Sequence, residues 1–367
     1  MTVQRRKFLA GAAVGTAAAA ASASSLPAPA LAQSRIEWTM VSPWPRNAPG
    51  VGVNAQRFAD RITAMSGGRL QVTHYTAGEL VPPFESFDAL IGGDVDLMHA
   101  TPYYWVGKSA ALNYFTGVPF GLMATELAGW IEFGGGQALW DEVYAGFGAK
   151  PFYCGSSGTQ AGGWFRKEIN SLDDVRGLRI RIAGLGGEVF RRIGAAVVNL
   201  PPGEIFQAMQ SGAVDAAEWV GPWNDLAFGL HRVADYYYLP AFHEPGPGLE
   251  AVVNLDAYNA LPADLQAVVE FAAKSTAYTA DADFRYHNIV SLPQLVEQHG
   301  VEVRTFSDDV VMELGRLSFE ALEEIGQSDP LTERVHASYM DFLGKAIAYS
   351  SVMEGAISRQ RAMVMGS

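Results

Sequence analysis

The chain has 367 residues, 26 Lys and Arg against 39 Asp and Glu, a formal charge of −13, 49% hydrophobic residues and 18% charged ones. This apolar content excludes a disordered chain, and the length suits two domains. The single cysteine excludes a disulfide scaffold and a Cys/His zinc site, and the missing basic surplus argues against nucleic acid as a partner.

Arg5-Arg6-Lys7-Phe8-Leu9 precedes a run rich in Ala, Gly and Ser, and Ala30-Leu31-Ala32 offers small residues for cleavage. Residues 1–32 therefore read as a twin-arginine export signal, removed after Ala32. Pro27 and Pro29 and the weak hydropathy of the run speak against a retained anchor helix. Removal takes away three positive charges and no acid, so the formal charge moves from −13 to −16. No later apolar run is long enough to span a membrane, and the expectation is a periplasmic protein without membrane insertion.

Further on, Ile36 to Val41 alternates as a strand should, and Gly52 to Ser66 has helical spacing through Val53, Phe58, Ile62 and Met65, closed by Gly67-Gly68. Leu70 to Tyr75 predicts a second strand, Phe84 to Gly92 a helix and Val95 to Met98 a buried strand. The alternation predicts an α/β architecture with largely parallel sheets. Pro262 to about His299, interrupted near Pro293, and Asp329 to about Arg361 predict long C-terminal helices.

One segment echoes another. Phe87 to Asp96 aligns without gaps on Phe206 to Asp215, matching Phe, Ala, a large apolar residue, Gly, Val and Asp. Each copy reads as a helix end, a Gly turn and a short buried strand, a unit that also recurs by chance in α/β folds. Ligands of open α/β sheets bind beyond the carboxyl ends of strands. His99, Thr101, Tyr103, Tyr104 and Trp105 follow the first copy, and Glu218, Trp219, Gly221, Pro222 and Trp223 the second. Two such edges facing each other would form a cleft.

No catalytic set emerges. Arg179-Ile180-Arg181-Ile182 enters Gly184-Leu185-Gly186-Gly187, but Val189 stands where a dinucleotide fingerprint needs a small residue. Gly155-Ser156-Ser157-Gly158 fails as a nucleophile elbow at Thr159. His243-Glu244-Pro245-Gly246 is no zincin motif, and the other histidines lack ligand spacing. Cys154 reads as a packed residue.

Several motifs together resemble one family. Met65 to Leu70 through Ala77-Gly78-Glu79-Leu80 resembles the opening of the solute-binding proteins of TRAP (tripartite ATP-independent periplasmic) transporters. Ser171 to Arg181 resembles that family's sl-dlkGlkiRv segment, and Pro202 to Glu218 its P-e-y-AL-sGvvDg-e segment. Gly158-Thr159-Gln160, Glu218-Trp219 and the turn at His243-Glu244-Pro245-Gly246 resemble the branch that binds 2-oxo or 2-hydroxy monocarboxylates with a metal ion. The resemblance implies a two-domain α/β periplasmic solute-binding fold with a ligand cleft between the domains and long C-terminal helices. Domain I would span 33–160 with part of about 247–285 returning to it, domain II 161–246, and helices of 286–367 would pack on domain II or on a dimer partner. It further implies delivery of a small carboxylate, such as pyruvate or lactate, to TRAP membrane permease subunits without chemistry. An exported enzyme acting on a carboxylate and a sensing module for a kinase remain the alternatives.

By the same resemblance, Arg181 is the carboxylate-binding residue. An Arg fork makes two parallel charge-assisted bonds that Lys cannot reproduce, and the helix beginning near Gly186 would add N–H donors. Arg179 points to the same face and is the competing fork. Glu218, Gln160, the backbone carbonyl of Trp219 and Glu244 are the expected oxygen ligands for Na⁺ or Ca²⁺. An ion pair between Glu218 and an arginine is the competing reading. Gln160, Trp219, Tyr103, Tyr104 and Trp223 are the candidate ligand walls, with core packing equally open for each aromatic. An apolar stripe from Leu265 to Phe284 is the candidate dimer interface, unless it packs on its own subunit.

Overall fold

The computed structural model describes residues 35–366, so the export signal read from residues 1–32 lies outside the described residues. No helix among them is long and apolar enough to cross a membrane. Eleven strands are described: β1 (Ile36–Val41), β2 (Leu70–Tyr75), β3 (Leu97–Ala100), β4 (Ala149–Ser156), β5 (Gly163–Phe165), β6 (Arg179–Arg181), β7 (Ala196–Val198), β8 (Ala216–Ala217), β9 (Tyr236–Tyr238), β10 (Gly248–Asn254) and β11 (Glu302–Arg304). They form two sheets, ordered β2-β1-β3-β10-β4 and β11-β9-β5-β8-β6-β7.

Both sheets are mixed, which corrects the expectation of largely parallel ones. β1 is parallel to β2 and β3, but β10 runs against β3 and β4. β6 is parallel to β7 and β8, but β5 runs against β8 and β9. The order β7-β6-β8-β5-β9 thus repeats β2-β1-β3-β10-β4 strand for strand, in the same senses. The reversed strand in each sheet, β10 or β5, crosses over from the other sheet. It does not return through a helix, and helical crossovers are what make neighbours parallel.

The sequence echo lies at equivalent places in this repeat. Helices Ser86–Gly92 and Ile205–Ser211 both end on a left-handed glycine, Gly93 at φ 80° and Gly212 at φ 75°, a conformation other residues adopt at a cost. Asp96 and Asp215 then tie the turn to the neighbouring parallel strand. Asp96 Oδ2 accepts from Thr39 N–H at 2.8 Å, and Asp96 N–H donates to Thr39 O at 3.0 Å. Asp215 makes the same pair with Arg179, at 3.2 and 2.7 Å.

β4 leads directly towards β5, and β9 towards β10. Segments 157–162 and 239–247 therefore pass between the sheets side by side. Gly162 N–H donates to Tyr238 O (2.8 Å), Ala241 N–H to Gln160 O (2.9 Å) and Gln160 N–H to Glu244 O (3.2 Å). The antiparallel pairings of β4 with β10 and β5 with β9 continue through this crossing.

The long helix Ala263–Pro293 lies on β4 and on helix Val51–Met65. Leu265, Val269, Ala272, Ala273, Ala277, Ala280 and Phe284 are all buried there. Of the two readings of this stripe, packing on its own subunit is the one the structure shows. The apolar residues left outside are Phe271, Tyr278 (80% exposed), Tyr286 and Ile289. The remaining C-terminal helices divide. Asp308–Gly326 packs on helix Gly184–Ile193 beside the second sheet, but Pro330–Val352 packs on helices Leu112–Thr116, Ala124–Phe133 and Gly136–Ala145 by the first. Tyr339 directs this second placement: its ring meets Tyr114 and Trp130, and its hydroxyl accepts from Leu122 N–H at 2.9 Å.

Glu250, fully buried in β10, accepts from the Tyr144 hydroxyl at 2.5 Å through one oxygen and has no partner for the other. Burial pushes its carboxyl up to about 8, with the Tyr144 bond pulling the other way. The native chain then holds a proton that the unfolded chain releases near the ordinary carboxylate value. Stability should fall as pH rises from about 5 to about 8, by up to about 1.4 kcal/mol per pH unit from this group. Urea unfolding of Glu250→Gln between pH 5 and 8 should show a flatter slope than wild type. Identical slopes would mean that Glu250 titrates normally.

Candidate functional site

β6 and β8 are parallel neighbours in which Arg181 lies opposite Ala217. That register sets Glu218, the next residue, beside the arginine: Glu218 N–H donates to Arg181 O at 2.9 Å. The side chains meet as well. Arg181 Nη1 donates to Glu218 O at 2.6 Å and to Glu218 Oε2 at 3.0 Å, and Nε donates to Leu200 O at 3.2 Å. Both side chains are 0% exposed. Arg179 is excluded as the fork, since its side chain is 50% exposed and engaged by Asp215. Arg181 Nη2 and Glu218 Oε1 are left buried with no partner.

The crossing segments add the rest. Gln160 Nε2 donates to Ser157 Oγ at 2.7 Å, which leaves Oε1 buried and unpartnered. Glu244 is buried with no close hydrogen-bond partner on either carboxylate oxygen, although the Tyr103 hydroxyl acts on it, and His243 beside it has two unpartnered ring nitrogens. Ligand atoms of Glu218, His243 and Glu244 lie within 4.8 Å of one another. The His243 ring presses on the start of helix Gly184–Ile193, where a Cβ on Gly186 would stand 2.8 Å from it. Any larger residue would drive the helix start away.

Two buried carboxylates face one guanidinium. Burial works against the charge of Arg181, but Glu218, Tyr104, Tyr103 and Glu244 around it hold its pKa up. Burial pushes Glu218 well above the carboxylate range, and Glu244 adds to this while Arg181 opposes it. Glu244 is also pushed up by burial, against the pull of Arg181. Burial and then Arg181 lower His243 to about 3, so its imidazole is neutral. Ionising both carboxyls would leave the set one positive charge short, and buried polar groups without partners are costly. Gln160 Oε1, Glu218 Oε1 and the two oxygens of Glu244 are hard donors suited to Na⁺ or Ca²⁺.

A cavity of about 20 Å³ adjoins this set, lined among others by Tyr103, Tyr104, Gln160 and Trp219. By the same measure one water needs about 10–15 Å³. The Trp219 ring sits 5.8 Å from the Arg181 guanidinium carbon. Trp223 does not join the site. It follows Pro222 into helix Pro222–Phe228 and stacks on His287 at 4.1 Å.

Sequence reasoning placed Thr101 at the cleft edge but missed His243 as a site residue and six wall residues: Trp44, Val51, Ser157, Val220, Pro247 and Leu249. Trp44 follows the carboxyl end of β1, so the strand-end rule applied to that strand would have found it. His243 adjoins Glu244 and was set aside only because the zincin spacing fails.

A buried guanidinium with a free donor edge, facing oxygens and a small cavity at the meeting of two sheets, defines a receptor for a small anion. The chain matches the model of bacterial extracellular solute-binding protein family 7, DctP, over residues 41–327. It belongs to that family of TRAP transporter solute-binding proteins, and it is a receptor and not an enzyme. It is 38% identical over 355 residues to the monocarboxylate 2-oxoacid-binding periplasmic protein of a Nostoc species, covering 96% of this chain and 97% of that one. A TRAP solute-binding protein from Pseudoalteromonas atlantica with bound sodium and pyruvate superposes with a TM-score of 0.86 at 35% identity, over 89% of this chain and 99% of the other. One from Bordetella bronchiseptica, a mixed-occupancy dimer with copurified calcium and picolinate, gives 0.88 at 31% identity, over 90% and 98%.

Cys154 is fully buried and burial raises its thiol further, so it should be inert. An Ellman assay should detect no thiol in the native protein and one in guanidinium chloride. Rapid reaction of the native form would show that Cys154 is not held packed in the core.

Proposed function

We propose that this receptor binds a small 2-oxo or 2-hydroxy monocarboxylate, such as pyruvate or lactate, together with Na⁺ or Ca²⁺, and hands it to TRAP permease subunits. The carrying observation is the pair of orphaned buried atoms on either side of one ion pair: Arg181 Nη2, a donor, and Glu218 Oε1, an acceptor. The free donor edge suits a carboxylate oxygen. Gln160, Glu218, Glu244 and the Trp219 carbonyl would hold the ion, which supplies the missing positive charge next to the ligand's oxygens. The pyruvate and sodium of the Pseudoalteromonas relative support this reading, as does the name of the Nostoc relative.

Capture works by closure of two lobes, 33–160 with part of 247–285 and 161–246, about the crossing segments 157–162 and 239–247. Tyr103 and Tyr104 from the first lobe then shut the site over Arg181 and keep water from its charge. Residues 1–32 direct twin-arginine export to the periplasm, where the receptor works at a charge of −16. It pairs as a homodimer, supported by the dimer of the Bordetella relative and by the exposed apolar residues of helix Ala263–Pro293.

Calorimetry on unfolded, dialysed and refolded protein tests the site. Arg181→Ala should weaken pyruvate binding at least about a hundredfold, roughly 3 kcal/mol, and Arg181→Lys should be nearly as poor. Glu218→Gln should weaken both ion and ligand binding. Wild-type affinity in Arg181→Ala would remove the arginine from the reading. Equal pyruvate affinity with chelator in Na⁺-free buffer and with Na⁺ or Ca²⁺ would remove the ion.

A further inference from the structure

Much of the cavity lining is apolar. Trp44, Val51, Val220, Pro247 and Leu249 contribute to it beside the hydroxyls of Thr101 and Ser157, and these five side chains offer a ligand only surface, apart from the indole N–H of Trp44. That N–H is committed elsewhere: Trp44 Nε1 donates to His99 Nδ1 at 3.0 Å. His99 is 0% exposed, and burial lowers its imidazole to about 3, so the ring stays neutral and Nδ1 remains an acceptor. The indole is held from other sides too. Its ring meets Tyr104 at 5.9 Å and Trp219 at 6.4 Å, and the Trp44 carbonyl accepts from Ala77 N–H at 2.9 Å.

A large ring fixed by a buried hydrogen bond cannot swing aside to admit more carbon. We infer that Trp44, locked by His99, is the specificity-determining end wall of the site, and that it limits the ligand's carbon chain. This rests on the carboxylate reading above. With the carboxylate at Arg181 and the 2-oxygen among the oxygen ligands, the ligand's alkyl end must face the apolar wall. Polar tails are refused there, because the two hydroxyls in the lining are already engaged, Thr101 with Gly248 O at 3.0 Å and Ser157 with Gln160 Nε2 at 2.7 Å, and the other walls cannot replace a tail's water. Dicarboxylates and sugar acids are excluded on that ground, and long alkyl chains by the ring.

The test measures a ratio of affinities. Wild type, Trp44→Leu, Trp44→Phe and His99→Phe are stripped of ligand, checked for native circular dichroism, and titrated with pyruvate, 2-oxobutyrate, 2-oxovalerate and 4-methyl-2-oxovalerate in Na⁺ or Ca²⁺ buffer. Wild type should lose about tenfold or more between pyruvate and 2-oxovalerate, the scale of methylene discrimination in a tight pocket. Trp44→Leu should bring the two acids within about threefold or reverse them. Trp44→Phe, which keeps a ring but loses the bond to His99, and His99→Phe, which keeps the indole but removes its acceptor, should fall in between. A merely structural role would weaken every acid alike and leave the ratio unchanged. An unchanged ratio in all variants that fold would overturn the inference, as would a wild type that binds 2-oxovalerate as well as pyruvate. A wild type that binds none of the four acids would overturn the carboxylate reading itself, and the inference with it.

Discussion

An arginine cannot escape its charge by giving up a proton, so burying Arg181 completely obliges the chain to build an anionic environment around it. Nearly every feature of the site follows from that obligation. The strand register delivers Glu218, the crossing turn delivers Glu244, and the carbonyls of Leu200 and Glu218 take two further N–H groups. The chain then overshoots. Two carboxylates answer one guanidinium, while one nitrogen of the fork is left without a partner. A structural ion pair would close both accounts. This one leaves an acceptor and a donor unfilled side by side, which is the condition for holding an anion and a cation in contact.

The second constraint is the crossing itself. Gln160 and Glu244 sit where two segments pass between the sheets, bonded backbone to backbone. Side chains placed there see both sheets at once. Ends of strands from one sheet alone would offer only one wall. The cavity lining confirms the point: Thr101 and Leu249 come from the first sheet's edge and Trp219 and Val220 from the second's, with Gln160 between them.

Much of this was legible beforehand, and the gaps have physical causes. β1, β2 and the helix between them follow from alternation and helical spacing, because each buries one face only. The echo proved structural, with Asp96 and Asp215 making the same turn bonds. Strand direction was not legible: whether β10 runs with or against β3 depends on where the chain comes from, and the buried run Gly248–Asn254 reads the same either way. Arg181 was distinguishable from Arg179 by its nearness to the strand end. Trp223 misled because aromatic content near a strand end says nothing about which way a following helix turns its rings. Trp44 was missed because the strand-end rule was not applied to β1, and His243 because a neutral buried histidine has no ligand-spacing signature. The same blindness applied to the long helix, where Leu265 and Phe284 could equally have faced out or in.

The interleaving of the sheets also bears on how the protein is made. β3 and β4 are neighbours of β10 and not of each other. When a ribosome has released the first 160 residues, both strands therefore exist with their facing edges bare, and they stay bare until Gly248–Asn254 emerges nearly a hundred residues later. Such edges invite pairing with other chains. The first sheet cannot close during early synthesis however stable it is when finished, so the young chain depends on being kept apart from its neighbours until most of its length is out.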